Sequence, residues 1–183
     1  ILRHGEEIDR NIRENLLHVG LDGVLGGRTV RGNFGMHQRA ALSVALALQE
    51  PETVDRAVEY VLNGTETLPE DGLRYAFDNL FFREGVGFET APGYCFTWTR
   101  NVLTLSPLLK RLGTDLYDGR HLPKISGAPA RMIVQDELTP TIGDFGNAVS
   151  GIVRLPPHFA AEIWDEFRRP SEARDLLAHK AYG

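Results

Sequence analysis

What most limits the fold of this chain is that its apolar residues recur at helical rather than strand spacing along most of its length. In "PETVDRAVEYVLNG" (51–64), Val54, Ala57, Val58, Val61 and Leu62 fall on one helical stripe. Pro51 suits a first helical position, and Asn63-Gly64 reads as a C-terminal stop. "HQRAALSVALALQE" (37–50) is apolar on nearly every side from Ala40 to Leu48, the pattern of a helix buried between neighbours. "EEIDRNIRENLLHVG" (6–20) places Ile8, Ile12, Leu16 and Val19 on one side. "CFTWTRNVLTLSPLLKRLG" (95–113) is helix-like and aromatic at its start. "PHFAAEIWDEFRRP" (157–170) puts Phe159, Ala160, Ile163, Trp164 and Phe167 on one face, and "SEARDLLAHKAYG" (171–183) opens on a plausible Ser171 cap.

Period-2 strands are scarce, and the best candidate, "ARMIVQD" (130–136), is short. The expected fold class is therefore all-α, with about six to eight helices. At 183 residues with 42% hydrophobic content, residues 1–183 suit one helical domain with an ordinary core. A net charge of −5 argues against a mainly electrostatic nucleic-acid binder, while a local basic cleft for an anionic ligand stays open. No apolar run is long enough to span a membrane. Cys95 is the single cysteine, so no internal disulfide and no cysteine-based zinc site can form. The opening "ILRHGEEIDR" carries no charged-then-apolar leader, and a start on Ile1 suggests a processed chain or a piece of a larger protein.

The loops are longer than a minimal helical bundle needs: "GLDGVLGGRTVRGNFG" (20–35), "REGVGFETAPGY" (83–94) and "DELTPTIGDFGNAVSG" (136–151). Long ordered loops are where function concentrates. In "RGNFGMHQRA" (31–40), Asn33 and His37 share a face if the helix has begun by Asn33. An amide and an imidazole so placed can bind a carboxylate. Equally, Asn33 is an N-cap and His37 a surface residue. In the 83–94 loop, Gly85, Gly87 and Gly93 allow tight backbone approach, and Glu84, Glu89 and Tyr94 lead into the next helix. The alternative is a connector whose Tyr94, Phe96 and Trp98 pack into the core. Asp144 sits between turn formers, where an Asx turn accounts for it. His4, His18, His121, His158 and His179 make no metal-ligand spacing, and no phosphate-loop, dinucleotide-binding or nucleophile-elbow motif occurs.

Taken in order, "GNFGMHQ", a helical pair, "EGVGFETAPGY" opening an aromatic-rich helix, and "LTPTIGDFG" resemble the heparinase II/III-like polysaccharide lyases across roughly residues 20 to 150. The likeness extends more distantly to alginate and chondroitin lyases with α/α toroid domains. It implies part of an (α/α) toroid built from antiparallel helical hairpins. It implies a lyase cleaving a uronic-acid-containing polysaccharide by β-elimination, in a periplasmic or extracellular setting. The partners implied are an anionic polysaccharide or oligosaccharide and the remainder of the same enzyme; no nucleic acid, membrane or cofactor is implied, and a structural metal elsewhere in the full protein stays open. By the resemblance, Asn33 neutralises the uronate carboxylate and Tyr94 exchanges the proton, with His37, Glu89 and Arg100 contacting substrate. Complete members carry a C-terminal β-sandwich, and nothing after residue 151 reads as one.

The chemistry asks for such residues. A base removes the proton beside a carboxylate that already carries charge, so an uncharged amide donor stabilises the enolate-like intermediate. Free tyrosine ionises near pH ~10 and needs a nearby cation to serve as base; Arg100, or Arg39 and Arg31 beside Asn33, are the candidates. The same phenol can return the proton to the leaving oxygen. Two other classes fit the sequence. An α/α-toroid glycoside hydrolase would pair Glu84 or Glu89 with Asp71 or Asp144, and a non-catalytic helical module would bind uronic oligosaccharides without turnover.

Overall fold

A computed structural model of the chain describes residues 2–28, 32–89, 91–117, 120–132 and 142. Helix accounts for 72% of the described residues, and no strand occurs among them, so the described part of the chain is all-α. Contacts group it into two compact units, the first Ile1–Ala76 and the second beginning at Phe77. The helices predicted over 157–170 and 171–183, the Asp144 loop, and all but the start of the predicted 130–136 strand lie outside the described residues. Of that strand, Arg131 instead ends a helix.

In the first unit, α1 (Leu2–Asn11) runs through a π-helical stretch (Ile12–His18) into α2 (Val19–Leu25). Two helices follow, α3 (Met36–Leu48) and α4 (Pro51–Asn63). The link between them is two residues long, and Gln49 adopts a left-handed φ of 60°. So short a reversal returns α4 antiparallel along α3, an αα-hairpin. The observed α4 matches its sequence signals, with Pro51 in the first turn and Gly64 just past the end. Buried Leu42, Ala45 and Leu48 of α3 and Ala57, Val61 and Leu62 of α4 form the unit's core. Burial of α3 is one-sided, contrary to expectation: Ala40, Ser43 and Ala47 are exposed. Alanine and serine are small enough to face water at little cost, so an all-round apolar look does not require all-round cover.

The N-terminal helical segment departs further from its apolar pattern. Ile8, Ile12, Leu16 and Val19 are all exposed, Leu16 at 64%. The side that meets the hairpin is held by buried Leu21 and by polar contacts instead. Arg13 donates to the Leu48 carbonyl at 3.2 Å, and His18 Nε2 stands 3.1 Å from Glu50 Oε1. A 3₁₀ turn (Pro69–Asp71) leads to α5 (Leu73–Asn79).

The second unit's described part is dominated by α6 (Pro92–Arg111), 20 residues long, packed with α7 (His121–Arg131). Val102, Leu105 and Leu109 of α6 and Leu122, Ile125 and Ala128 of α7 are buried. Phe81 meets Trp98 edge-on with ring centroids 5.8 Å apart, joining the loop before α6 to this core.

Candidate functional site

The segment carrying Asn33 is a tight turn. The Asn33 carbonyl accepts a hydrogen bond from the Met36 N–H at 3.1 Å, and the N-cap of α3 is Gly35, at φ 86°. The helix therefore starts three residues after Asn33. Asn33 is not the cap, and its four-residue spacing from His37 is not a helical one. Both side chains are half-buried in the first unit. Next to His37, the buried Gln38 donates its amide to the Asp71 carbonyl, tying the start of α3 to the 3₁₀ turn.

Ahead of Tyr94, residues 80–89 form a hairpin-like loop with an isolated bridge between Phe81 and Gly87. Phe82 N–H donates to the Val86 carbonyl at 2.8 Å, and Gly85 N–H closes a turn on the Phe82 carbonyl at 2.8 Å. Gly85 and Gly87 make room for neighbouring parts of the protein, which is the tight backbone approach their sequence suggests. A Cβ on Gly85, at φ 86°, would stand 2.2 Å from the main-chain carbonyl of Lys124. A Cβ on Gly87 would stand 2.8 Å from the Trp98 ring. The buried Cys95 thiol donates to the Gly87 carbonyl at 3.3 Å, and Arg131 donates to the carbonyls of Glu84 and Lys124. The loop is thereby tied to both α6 and α7.

Tyr94 itself is the third residue of α6, with Ala91 as N-cap and Pro92 in the first turn. It is half-buried, whereas Phe96 and Trp98 are buried in the core. Arg100 is exposed and lies six positions further along the same helix. At ~100° per residue the two side chains leave the helix about 120° apart, so helical spacing does not bring this guanidinium to the phenol. Glu89 is exposed, and its carbonyl accepts from the Ala91 N–H at 2.8 Å. Asn33 and His37 belong to the first unit, and Glu89, Tyr94 and Arg100 to the second. Of the carboxylates a hydrolase would use, Asp71 accepts a hydrogen bond from the Tyr60 hydroxyl at 3.1 Å in the first unit. Glu84 pairs with Arg83 at 3.2 Å in the second. Arg31 and Asp144 lie outside the described residues.

One feature of the second unit was not singled out in the sequence. A cleft of about 250 Å³ opens where α5, the 80–89 loop and the start of α7 meet, with Arg83, Arg120, His121 and Lys124 on its wall. His121 stacks on Phe77 with centroids 5.5 Å apart, and its Nε2 is 3.5 Å from Asp78 Oδ1. "RHLPK" (120–124) is a local basic cluster that sequence inspection can find, but Arg83 joins it only through folding.

Two exposed carboxylates are held below their ordinary range. For Glu50 the main cause is the Thr53 hydroxyl bond at 2.8 Å, with His18 and Arg13 adding to it. For Asp115 it is the Tyr117 main-chain N–H, with Lys110 adding to it. Among the described residues there is no cluster of three or more His, Cys, Asp or Glu able to hold a metal, and no helix long and apolar enough to cross a membrane. No protein-family model, curated protein or solved structure matches the chain.

Proposed function

We propose that this chain is the helical part of a polysaccharide lyase that cleaves a uronic-acid-containing polymer by β-elimination. Tyr94 takes the proton beside the carboxylate and returns one to the leaving oxygen. Asn33 neutralises the carboxylate. The observation that supports this most is the setting of Tyr94. It projects half-buried from the first turn of a 20-residue helix, behind a loop anchored to both neighbouring helices. A proton-transferring group works best when its position is fixed before substrate arrives. Side chains lean toward a helix's N-terminus, so the phenol lies toward the end of α6 that carries partial positive charge. That charge favours the negative charge developing in the reaction.

The antiparallel α3–α4 hairpin is the unit from which an α/α toroid is built. The exposed stripe of Ile8, Ile12, Leu16 and Val19 fits an array in which another helix covers it, since a helical repeat buries its apolar side only against a neighbour. The reading carries with it an anionic polysaccharide as substrate, a periplasmic or extracellular setting, and the rest of the enzyme as partner.

The test is turnover in the complete protein, read as unsaturated product by its near-ultraviolet absorbance. Tyr94→Phe keeps the ring and removes the hydroxyl; turnover should fall ~10²–10⁴-fold while substrate binding holds. A Tyr94→Phe enzyme with most of its activity, beside an inactive Glu89→Gln enzyme, would replace the lyase by a glycoside hydrolase. Binding without any product from the unaltered protein would leave the non-catalytic module.

A further inference from the structure

The cleft between α5, the 80–89 loop and α7 carries a charge opposite to that of the chain. The whole molecule is acidic, at −5. Yet Arg83, Arg120 and Lys124 line this one cleft against a single lining carboxylate, Asp78. Asp78 stands by His121, and the rim carboxylate Glu84 stands by Arg83. A concave site concentrates such a field and draws in an anion. The remaining wall is aromatic, with Phe77 and Phe82 among the lining residues. Phe82 is 49% exposed, which leaves ring surface for a ligand to cover. Cations beside the exposed Phe82 ring suit a charged sugar, whose acidic group meets the guanidinium and ammonium groups while its C–H face lies on that ring.

The geometry is also set in advance. The main chain of α7 and the loop touch at Gly85, where no side chain fits. Arg131 closes this contact by donating to carbonyls on both sides, at 2.7 Å to that of Lys124. His121 is held between the Phe77 ring and the Asp78 carboxylate, its side chain only 18% exposed. A pocket whose walls are already joined need not be ordered again when a ligand binds.

We propose that this cleft is a binding subsite for one anionic residue of the polymer, separate from the proton-transferring tyrosine, with Arg83, Arg120 and Lys124 reading its carboxylate or sulfate. The choice of a sugar rests on the lyase reading; the choice of an anion rests on the cleft alone.

The test uses the complete protein carrying Tyr94→Phe, so that turnover does not interfere, and calorimetry with three oligosaccharides of equal length. One is carboxylated and unsulfated, one sulfated with its carboxyls reduced, and one neutral. At least one anionic ligand should bind and the neutral one should not, with affinity falling as salt rises; the tighter of the two identifies the acidic group. Lys124→Ala and Arg120→Ala should each raise Kd roughly tenfold, as expected for loss of one charge-assisted contact. Lys124→Ala leaves in place the main chain against which Gly85 rests, so a folded variant is expected. Equal binding of neutral and anionic ligands, no binding of any, or a Kd unmoved by both substitutions would overturn the subsite. Anionic binding that depends on Lys124, in a protein that releases no unsaturated product, would uphold the cleft and sink the lyase. Lyase turnover with a KM indifferent to Lys124 and Arg120 would do the reverse.

Discussion

Two glycine-rich segments each lead into a helix and deliver a candidate site residue, and they are built on different grounds. Before α3, glycine serves the backbone angle: Gly35 caps the helix at a positive φ, and Asn33 precedes it in a turn closed by one main-chain bond. Before α6, glycine serves space as well. Gly85 combines a positive φ with contact against the main chain of α7, and Gly87 lies beneath the Trp98 ring. The same sequence signal thus marks a left-handed bend at Gly35 and, at Gly85 and Gly87, a joint between elements. The difference reaches the two candidate residues, since Asn33 stands outside its helix while Tyr94 is part of one.

The largest effect that separates the two cases is expected at Gly85. Gly85→Ala has to find room for a methyl group inside main-chain contact and also adopt an unfavourable φ. Overpacking typically costs ~1–3 kcal/mol and the wrong φ about 1 more, so urea unfolding should show a loss of about 2–4 kcal/mol. A loss under ~0.5 kcal/mol would mean that the loop lifts away from α7 freely, and the distinction between the two segments would fall. Gly35→Ala is the matching change before α3. Gly35 is buried, and its φ of 86° alone should make an added side chain cost about 1 kcal/mol by the same measurement; a cost as large as that at Gly85 would show that Gly35 too is a joint.

The sequence carried the backbone elements further than the reasons behind them. The start and stop of α4 were readable from Pro51 and Asn63-Gly64, because Pro and Gly act through local geometry that neighbours along the chain determine. The helical character of 95–113 was equally plain, although α6 begins earlier, at Pro92. What covers a stripe is not local information. Ile8, Ile12, Leu16 and Val19 share a side, as their spacing says, and that side is exposed. Nor does a run of glycines say what comes close to it: in 83–94 the neighbours are Lys124 and Trp98. The basic cleft was hidden for the same reason, since Arg83 and Lys124 are distant in sequence. Helical spacing alone does not pair Tyr94 with Arg100, six positions further along α6 and about 120° around it.

The smallest effect concerns acid titration, where the two units can be compared through one exposed carboxylate each. Glu50 of the first unit and Asp115 of the second both titrate below their ordinary values of 4.5 and 3.8. A folded value below the unfolded one adds stability that is present above the unfolded value and is lost as pH falls through the folded one. Both contributions should therefore fade only in acid, Glu50's from below about pH 4.5. Thr53→Val removes the main cause at Glu50. Carboxyl NMR should show its midpoint rising toward 4.5 with that of Asp115 unmoved. An unmoved Glu50 would assign the depression to His18 and Arg13 instead.

The hydrogen bond from Cys95 to the Gly87 carbonyl has a practical consequence of its own. Cys95 is the chain's one cysteine, it is buried, and its partner sits on the loop that leads to Tyr94. A buried thiol meets an alkylating reagent only in the moments when its cover is open, so its labelling rate measures how often that happens. The molecule thus carries a single-site clock for the lifting of this loop, readable by mass spectrometry without any engineered probe. Gly85→Ala should make it run faster, and a ligand bound in the basic cleft should slow it.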